Sequence, residues 1–296
     1  MTTASVPATA VVVGVDGSPD SKRAVQWAAA DAARRQRPLH LLHGHEWPVV
    51  TYPMAGLAMP IIYETESLES PARILADAVL QARDVDAELR ISTEASADLC
   101  VPALLAASRH ASLVVVGNRG LGGFTALLVG STGVELASHA ICPVVIVRHA
   151  DRPDGGSTGR VVVGVDSSHG AHEALGLAFE QAAFRGCGLT AVHAYHRQNA
   201  GHQPGGIPDA ALDGERRLLA ESLAGWREKY PRVDVRLDTV PGRAGGVLTD
   251  ASAGAQLLVV GARGRGGFVG LLLGSVSQAV VHHACCPVAV VRHPDR

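Results

Sequence analysis

Aromatic residues are scarce in this sequence: Phe, Trp and Tyr together make up 4% of its 296 residues. Proteins that grip single-stranded nucleic acid stack its bases on aromatic side chains, and few are on offer here. A surplus of positive charge is also missing. The formal net charge is -2 with histidine neutral, whereas a general nucleic-acid footprint needs a basic face. Cysteine is sparse. Of the five present, none stands at C-x-x-C spacing and Cys285 and Cys286 are adjacent, so neither a disulfide framework nor a zinc site is encoded. Cys142 and Cys286 each precede a proline at the start of an apolar run, the pattern of a buried structural thiol. No apolar run approaches the length of a membrane span. The opening MTTASVPATA has no basic segment and no long apolar stretch. No signal peptide is therefore expected, and the expected location is the cytoplasm, with no membrane partner.

What is present is apolar bulk and repetition. Apolar residues make up 47% and charged residues 18% of the chain, a globular rather than a disordered composition. The length suggests two domains, and an internal repeat supports this. Val11 to Ser18 reads VVVGVDGS and Val161 to Ser168 reads VVVGVDSS; Cys142 to His149 reads CPVVIVRH and Cys286 to His293 reads CPVAVVRH. The polar stretch ADRPDGGSTG, 150–159, reads as a linker. It separates a first domain, 1–149, from a second, 160–296.

Each half alternates apolar β-branched runs with helical patterns. Ala10 to Val15 and Arg160 to Val165 read as buried strands. Ser18 and Pro19 form a helix start, Ser18 as N-cap and Pro19 in the first helical position. The stretch from Glu46 to Tyr63, with Pro48, Pro53, Gly56 and Pro60, reads as an irregular loop, and a helix is expected from Glu64 to Arg83. Ala87 to Glu94 alternates in polarity and reads as an edge strand. The alternation predicts an α/β protein of two doubly wound, five-stranded parallel-sheet domains, Rossmann-like, and the strand order taken for each is 3-2-1-4-5. In such sheets ligands bind at the carboxyl ends of the strands, where the winding reverses. The reversal lies between strands one and four of each half. It brings Gly14 and Asp16 beside the loop from Gly117, and Gly164 and Asp166 beside the loop from Gly261.

Those loops share the skeleton G-x2-G-x9-G-S: Gly117, Gly120, Gly130 and Ser131, then Gly261, Gly264, Gly274 and Ser275. Gly122 and Gly123, and Gly266 and Gly267, lie between. Glycine allows positive φ and close approach of a ligand to the backbone. Successive amides can form an anion-binding nest. Ser131 and Ser275 stand where a helix should begin, so unpaired amides and the positive end of its dipole face the same place. Arg119, Arg263 and Arg265 add permanent charge. The whole points to a phosphate group. An aspartate beside a phosphate loop can accept from ribose hydroxyls or hold a magnesium ion between phosphates; it can also simply cap its own turn.

These features together resemble the universal stress protein family in its tandem, ATP-binding form. The openings VVVGVDGS and VVVGVDSS, the second strands LLHGH and AVHAY, the glycine loops and the closing CPVVIVRH carry the resemblance over nearly the whole chain. It implies an adenine nucleotide alpha hydrolase-like fold and one ATP site per domain, with or without Mg2+, in a nucleotide-dependent regulator of stress or growth. Carried over, Asp16 and Asp166 are ribose-side contacts. The phosphate cradle is Gly117, Gly120, Gly130 and Ser131, matched by Gly261, Gly264, Gly274 and Ser275; Asn118, Arg119 and Thr132, and Ala262, Arg263, Val276 and Ser277, are further expected nucleotide contacts. Gly44 and Ala194 align with the residue whose backbone meets adenine; Gly44 departs from the usual larger apolar residue. Thr132-Gly133 against Val276-Ser277 is a further asymmetry between the sites.

Other chemistry has weaker support. His40, His43 and His45, and His282 with His283, lack the i, i+4 spacing and the completing ligands of a zinc site. His43 and His193 occupy matched positions that serve the fold. The Walker-type G-x4-G-K-[ST] loop is absent, and no lysine lies in either glycine loop. Phosphoryl transfer needs a positioned water or acceptor, and no residue is evident for that task. The expectation is binding rather than enzymatic turnover; the alternative is a slow ATPase or nucleotidyl-transfer enzyme on the same fold. The expected partners are an adenine nucleotide, a regulatory protein and a second copy of the chain. The closing strands Pro143 to Val147 and Pro287 to Val291 are candidates to pair with each other. The loops near Val50 to Ile62 and Gln198 to Pro208 are candidate walls or lids of the sites.

Overall fold

Two matching valine runs open the two halves. Val11–Gly14 forms β1 and Val161–Gly164 forms β8. Successive side chains on a strand point to opposite faces. Val11 and Val13 accordingly enter one core, and Val12 enters another. The computed structural model describes residues 6–44, 49–54, 57–62, 70–120, 130–148, 159–166, 168–195, 209–264 and 273–292.

In the first half β1 leads to α1 (Pro19–Arg35), β2 (Leu39–Gly44), β3 (Val49–Met54), β4 (Leu57–Ile62), α2 (Pro71–Val85) and β5 (Ile91–Ser96). Then come α3 (Cys100–Ala107), β6 (Leu113–Gly117), α4 (Ser131–His139) and β7 (Val144–Val147). In the second half β8 leads to α5 (His169–Arg185), β9 (Leu189–Tyr195), α6 (Asp209–Lys229), β10 (Val235–Pro241) and α7 (Ala244–Ala251). β11 (Leu257–Gly261), α8 (Ser275–His283) and β12 (Val288–Val291) complete it.

Ten of the twelve strands form one sheet in the order β10-β9-β8-β11-β12-β7-β6-β1-β2-β5, and β3 and β4 form a separate pair. Within each half this is the predicted order 3-2-1-4-5. Within this sheet every pairing inside a half is parallel. The halves join where β7 and β12 pair antiparallel, with Ala289 opposite Val145. The two candidate closing strands do pair, and each covers the other's open edge. α1, α2, α5 and α6 bury their apolar faces on one side of the sheet, and α3, α4, α7 and α8 on the other. Among the described residues no helix is long and apolar enough to cross a membrane.

Two local readings need correction. The stretch expected to be an irregular loop contains an antiparallel hairpin, β3 with β4, in which Thr51 faces Pro60 and Pro53 faces Ala58. A two-stranded ribbon has open edges on both sides, so prolines that lack an N–H can be accommodated there. Residues 45–48, 55–56 and 63–69 lie outside the described set, as do 196–208, the other candidate lid. The second helix is described from Pro71, not Glu64. Ser70 is its N-cap and accepts from the Arg73 amide. Ser70-Pro71 repeats the start signal of Ser18-Pro19, where Ser18 accepts from the Ser21 amide at 3.1 Å.

A second seam joins the halves on the α1 face. Asp31, 1% exposed, accepts from the Gln181 amide group at 2.9 Å and pairs with Arg35 at 2.9 Å. Arg185 donates to Gln181 and lies 3.7 Å from Asp31. The Arg185 guanidinium stacks over Trp27, and that of Arg35 over Phe184. Nothing in the repeat or the hydrophobic pattern announced this buried ionic cluster.

Candidate functional site

The site begins with the peptide after β1. The Val15 amide donates to the Leu42 carbonyl at 2.9 Å, and the Val15 carbonyl accepts from His43 Nδ1 at 2.6 Å. The second half repeats both bonds: Val165 donates to Val192 and accepts from His193 Nδ1 at 2.8 Å. The matched histidines thus fix the peptide immediately before each aspartate. That is a structural role with a direct consequence for the site.

Each aspartate uses its two oxygens differently. Asp16 Oδ1 accepts from the Ser18 amide at 2.9 Å, and Asp166 Oδ1 accepts from the Ser168 amide at 3.0 Å and from the Ser168 hydroxyl. That is the turn-capping role. The other oxygen lies against the glycine loop. A Cβ placed on Gly120 would stand 2.7 Å from Asp16 Oδ2, and one on Gly264 would stand 2.6 Å from Asp166 Oδ2. The switch point therefore brings strand one and the glycine loop together in both halves, as the strand order predicted.

Of the two reasons expected for the loop glycines, positive φ does not hold at the described ones. Among the described glycines, positive φ occurs at Gly17, Gly159, Gly186, Gly242 and Gly254, and at none of the candidate loop glycines. Gly117 is required by packing. A Cβ there would meet the backbone of the first turn of α1, 2.7 Å from the Asp20 carbonyl carbon and 2.9 Å from the Ser21 nitrogen. Gly14 and Gly164 lie similarly close under Leu104 and Leu248. At the adenine-side position, a Cβ on Gly44 would fall 2.3 Å from the Cys100 Cα in the first turn of α3. This explains the departure to glycine at position 44: the helix start sits directly on the strand end. Ala194 carries its methyl group at the matched end of β9, partly exposed.

The loops close in the same way. The Asn118 amide donates to Val147 at 3.0 Å, and the Gly130 amide donates to the Asn118 carbonyl at 2.8 Å. Ala262 donates to Val291 at 2.7 Å and accepts from Gly274 at 2.8 Å. α4 and α8 then begin at Ser131 and Ser275, as expected. Their caps are Gly130 and Gly274, and among the described residues no side chain caps either helix. α1 and α5, in contrast, are closed by the hydroxyls of Ser18 and Ser168. A helix start without a side-chain cap leaves first-turn amides and the positive end of the dipole available to an anion. Ser131, Ser275, Arg119 and Arg263 are exposed beside these starts, with Thr132 and Val276 partly so. Gly122, Gly123, Arg265, Gly266 and Gly267 lie outside the described residues.

Ser277 behaves differently from the sequence reading. It is buried, and its hydroxyl contacts the carbonyls of Gly261 at 2.7 Å and Ala262 at 3.1 Å. It fastens its own loop. The first half has Gly133 at this place, where a Cβ would come 3.3 Å from Ile146 Cδ1.

The remaining candidates lie elsewhere. His40 is fully buried on β2, with Nδ1 2.8 Å from the Ser92 hydroxyl and Nε2 3.2 Å from Glu94. Burial holds its pKa below the usual histidine value, against the opposing pull of Glu94. Burial likewise pushes the Cys142 and Cys286 thiols up to about 12, in keeping with structural thiols. Among the described residues no group of three or more His, Cys, Asp or Glu is placed to hold a metal ion.

A tandem pair of doubly wound sheets, each with an aspartate and a glycine-capped helix start at its switch point, defines a two-domain protein of the Rossmann-like class. The model of the universal stress protein family matches residues 8–148 and again 158–292, and the chain belongs to that family. It is 40% identical over 288 residues to universal stress protein Rv2005c of Mycobacterium tuberculosis, covering 95% of this chain and 96% of that protein. It is 37% identical over 294 residues to a universal stress protein of Mycolicibacterium smegmatis, covering 95% and 96%. Among solved structures, a universal stress protein from Archaeoglobus fulgidus superposes with TM-score 0.61 at 19% identity, over 96% of this chain and 98% of that one.

Proposed function

We propose that this protein is a nucleotide-dependent regulator of stress or growth that binds one adenine nucleotide, ATP, at each switch point. The observation that carries the reading is the pair of glycine-capped helix starts, α4 and α8, each beside a carboxylate held at the end of the first strand. The residues present fit a phosphate-bearing ligand. A Cβ on Gly120 or Gly264 would meet the carboxylate of Asp16 or Asp166, so bare glycine backbone and carboxylate stand together there, and first-turn amides are the donors that phosphate oxygens need. Gly130, Ser131 and Thr132, and Gly274, Ser275 and Val276, would hold phosphate, with Arg119 and Arg263 adding charge. Asp16 and Asp166 would accept from ribose hydroxyls or hold Mg2+ that arrives with the nucleotide. Gly44 and Ala194 would border the base.

The role is binding rather than turnover, with a cytoplasmic location and a regulatory protein as the second partner. A homodimer would have to use surfaces other than β7 and β12, which pair within the chain. Calorimetric titration of the full chain with ATP is expected to show two sites, one lost in Asp16→Ala and the other in Asp166→Ala. A flat titration of folded protein removes the reading. Sustained multiple turnovers that vanish in the same two variants would favour the enzyme instead.

A further inference from the structure

Arg148 lies one residue beyond β7, at the seam between the halves. Its Nη1 donates to Asn118 Oδ1 at 3.1 Å and also to the Val281 carbonyl in the last turn of α8. A guanidinium suits that second position, because the final carbonyls of a helix lack intrahelical donors and carry the negative end of the dipole. Asn118 directly follows Gly117, and its backbone closes the first glycine loop through Val147 and Gly130. Arg148 therefore ties the side chain of the loop's closing residue to a helix of the other half.

Among the described residues the second loop has no such tie. Its closing residue is Ala262, which offers no side-chain acceptor. The Ser277 hydroxyl on the Gly261 and Ala262 carbonyls does the fastening there, where the first half has Gly133. The backbone closure is the same in both loops, but the additional fastener differs. One is internal to its half, and the other reaches across the seam.

We infer that Arg148 is a positioning residue for the first nucleotide site, whose loop is held in shape by the second half of the chain, while Ser277 holds the second site from within. The inference rests on the proposed nucleotide reading for its ligand, and on geometry alone for the fastening. Hydrogen exchange of the ligand-free full chain tests the fastening. Arg148→Ala, and equally Asn118→Ala, is expected to speed exchange at the Asn118 and Gly130 amides and leave Ala262 and Gly274 unchanged. Ser277→Ala is expected to do the reverse. ATP titration tests the positioning. In an Asp166→Ala background, which leaves the first site, Arg148→Ala should weaken ATP roughly tenfold, the scale of a charge-assisted hydrogen bond. In an Asp16→Ala background it should change nothing, and Arg148→Lys should recover part of the loss.

Unchanged exchange at Asn118 and Gly130, or equal acceleration in both loops, overturns the inference. So does equal ATP affinity with and without Arg148 in the Asp166→Ala background. If the wild type binds no ATP, the nucleotide reading fails by itself and exchange alone decides the fastening. Should Arg148→Ala not fold, Asn118→Ala supplies the exchange measurement and Arg148→Gln the titration.

Discussion

At the scale of single residues, Gly117 shows how a position read for ligand access is fixed by packing. Its hydrogen faces the first turn of α1, where a methyl group would stand within 3 Å of backbone atoms. Backbone cannot rotate away as a side-chain tip can. Gly117→Ala is therefore expected to destabilise the fold by about 1–3 kcal/mol, the range for overpacking, as measured by urea unfolding. It should weaken nucleotide binding as well, because α1 and the glycine loop would be pushed apart. An alanine at full stability would show that α1 yields more easily than its contacts suggest. His40 gives a pH dependence. Its folded pKa lies below the ordinary 6.5, chiefly through burial, with Ser92 and Glu94 at its ring nitrogens. Below 6.5 the unfolded chain takes up a proton that the folded chain resists, so this contribution is present above that value and is lost as pH falls. Melting curves between neutral and mildly acid pH should show a steeper loss in the wild type than in His40→Gln. Parallel slopes would assign the acid sensitivity to other groups.

At the scale of elements, the contact between α1 and α5 is the least expected part of the molecule. α1 was legible from its capping serine and α5 from the repeat, but their mutual seam was not. Asp31 sits among Arg35, Arg185 and Gln181 with almost no solvent contact. A buried pair adds little net stability, because desolvation offsets the attraction, but loss of one partner strands the other charges. Asp31→Ala is expected to cost about 3–5 kcal/mol on that account, read from chemical denaturation. Replacing Asp31 and both arginines together by apolar residues should cost far less than the single change. A mild single effect would mean that water reaches the seam.

At the scale of the whole molecule, the β7–β12 pairing turns two five-stranded sheets into one ten-stranded sheet. Both strands are fully buried runs of valine, isoleucine and alanine. An unpaired strand edge of that kind seeks a partner. The segment 1–149 expressed alone should self-associate through β7, and adding the segment 160–296 should convert it into a one-to-one complex. Sedimentation of each segment and of the mixture measures this; a stable monomeric segment would show that the edge tolerates exposure. The remaining outer strands, β5 and β10, alternate exposed and partly buried positions, as suits sheet edges that face solvent.

The sequence by itself determined the repeat and the alternation of strand and helix, and, with the strand order taken as 3-2-1-4-5, the place of the switch point. Each of these follows from short-range patterns: buried valine runs, capping serines, glycine loops and the handedness of crossover connections. The tertiary structure alone decided why Gly44 and Gly117 are glycines, since the atoms that exclude a side chain come from α3 and α1, far away in sequence. It also decided that prolines could pair in a hairpin, that Ser277 faces its own loop, and that Arg148 reaches α8. Those facts depend on which groups meet across helices and halves, and local periodicity carries no record of such meetings.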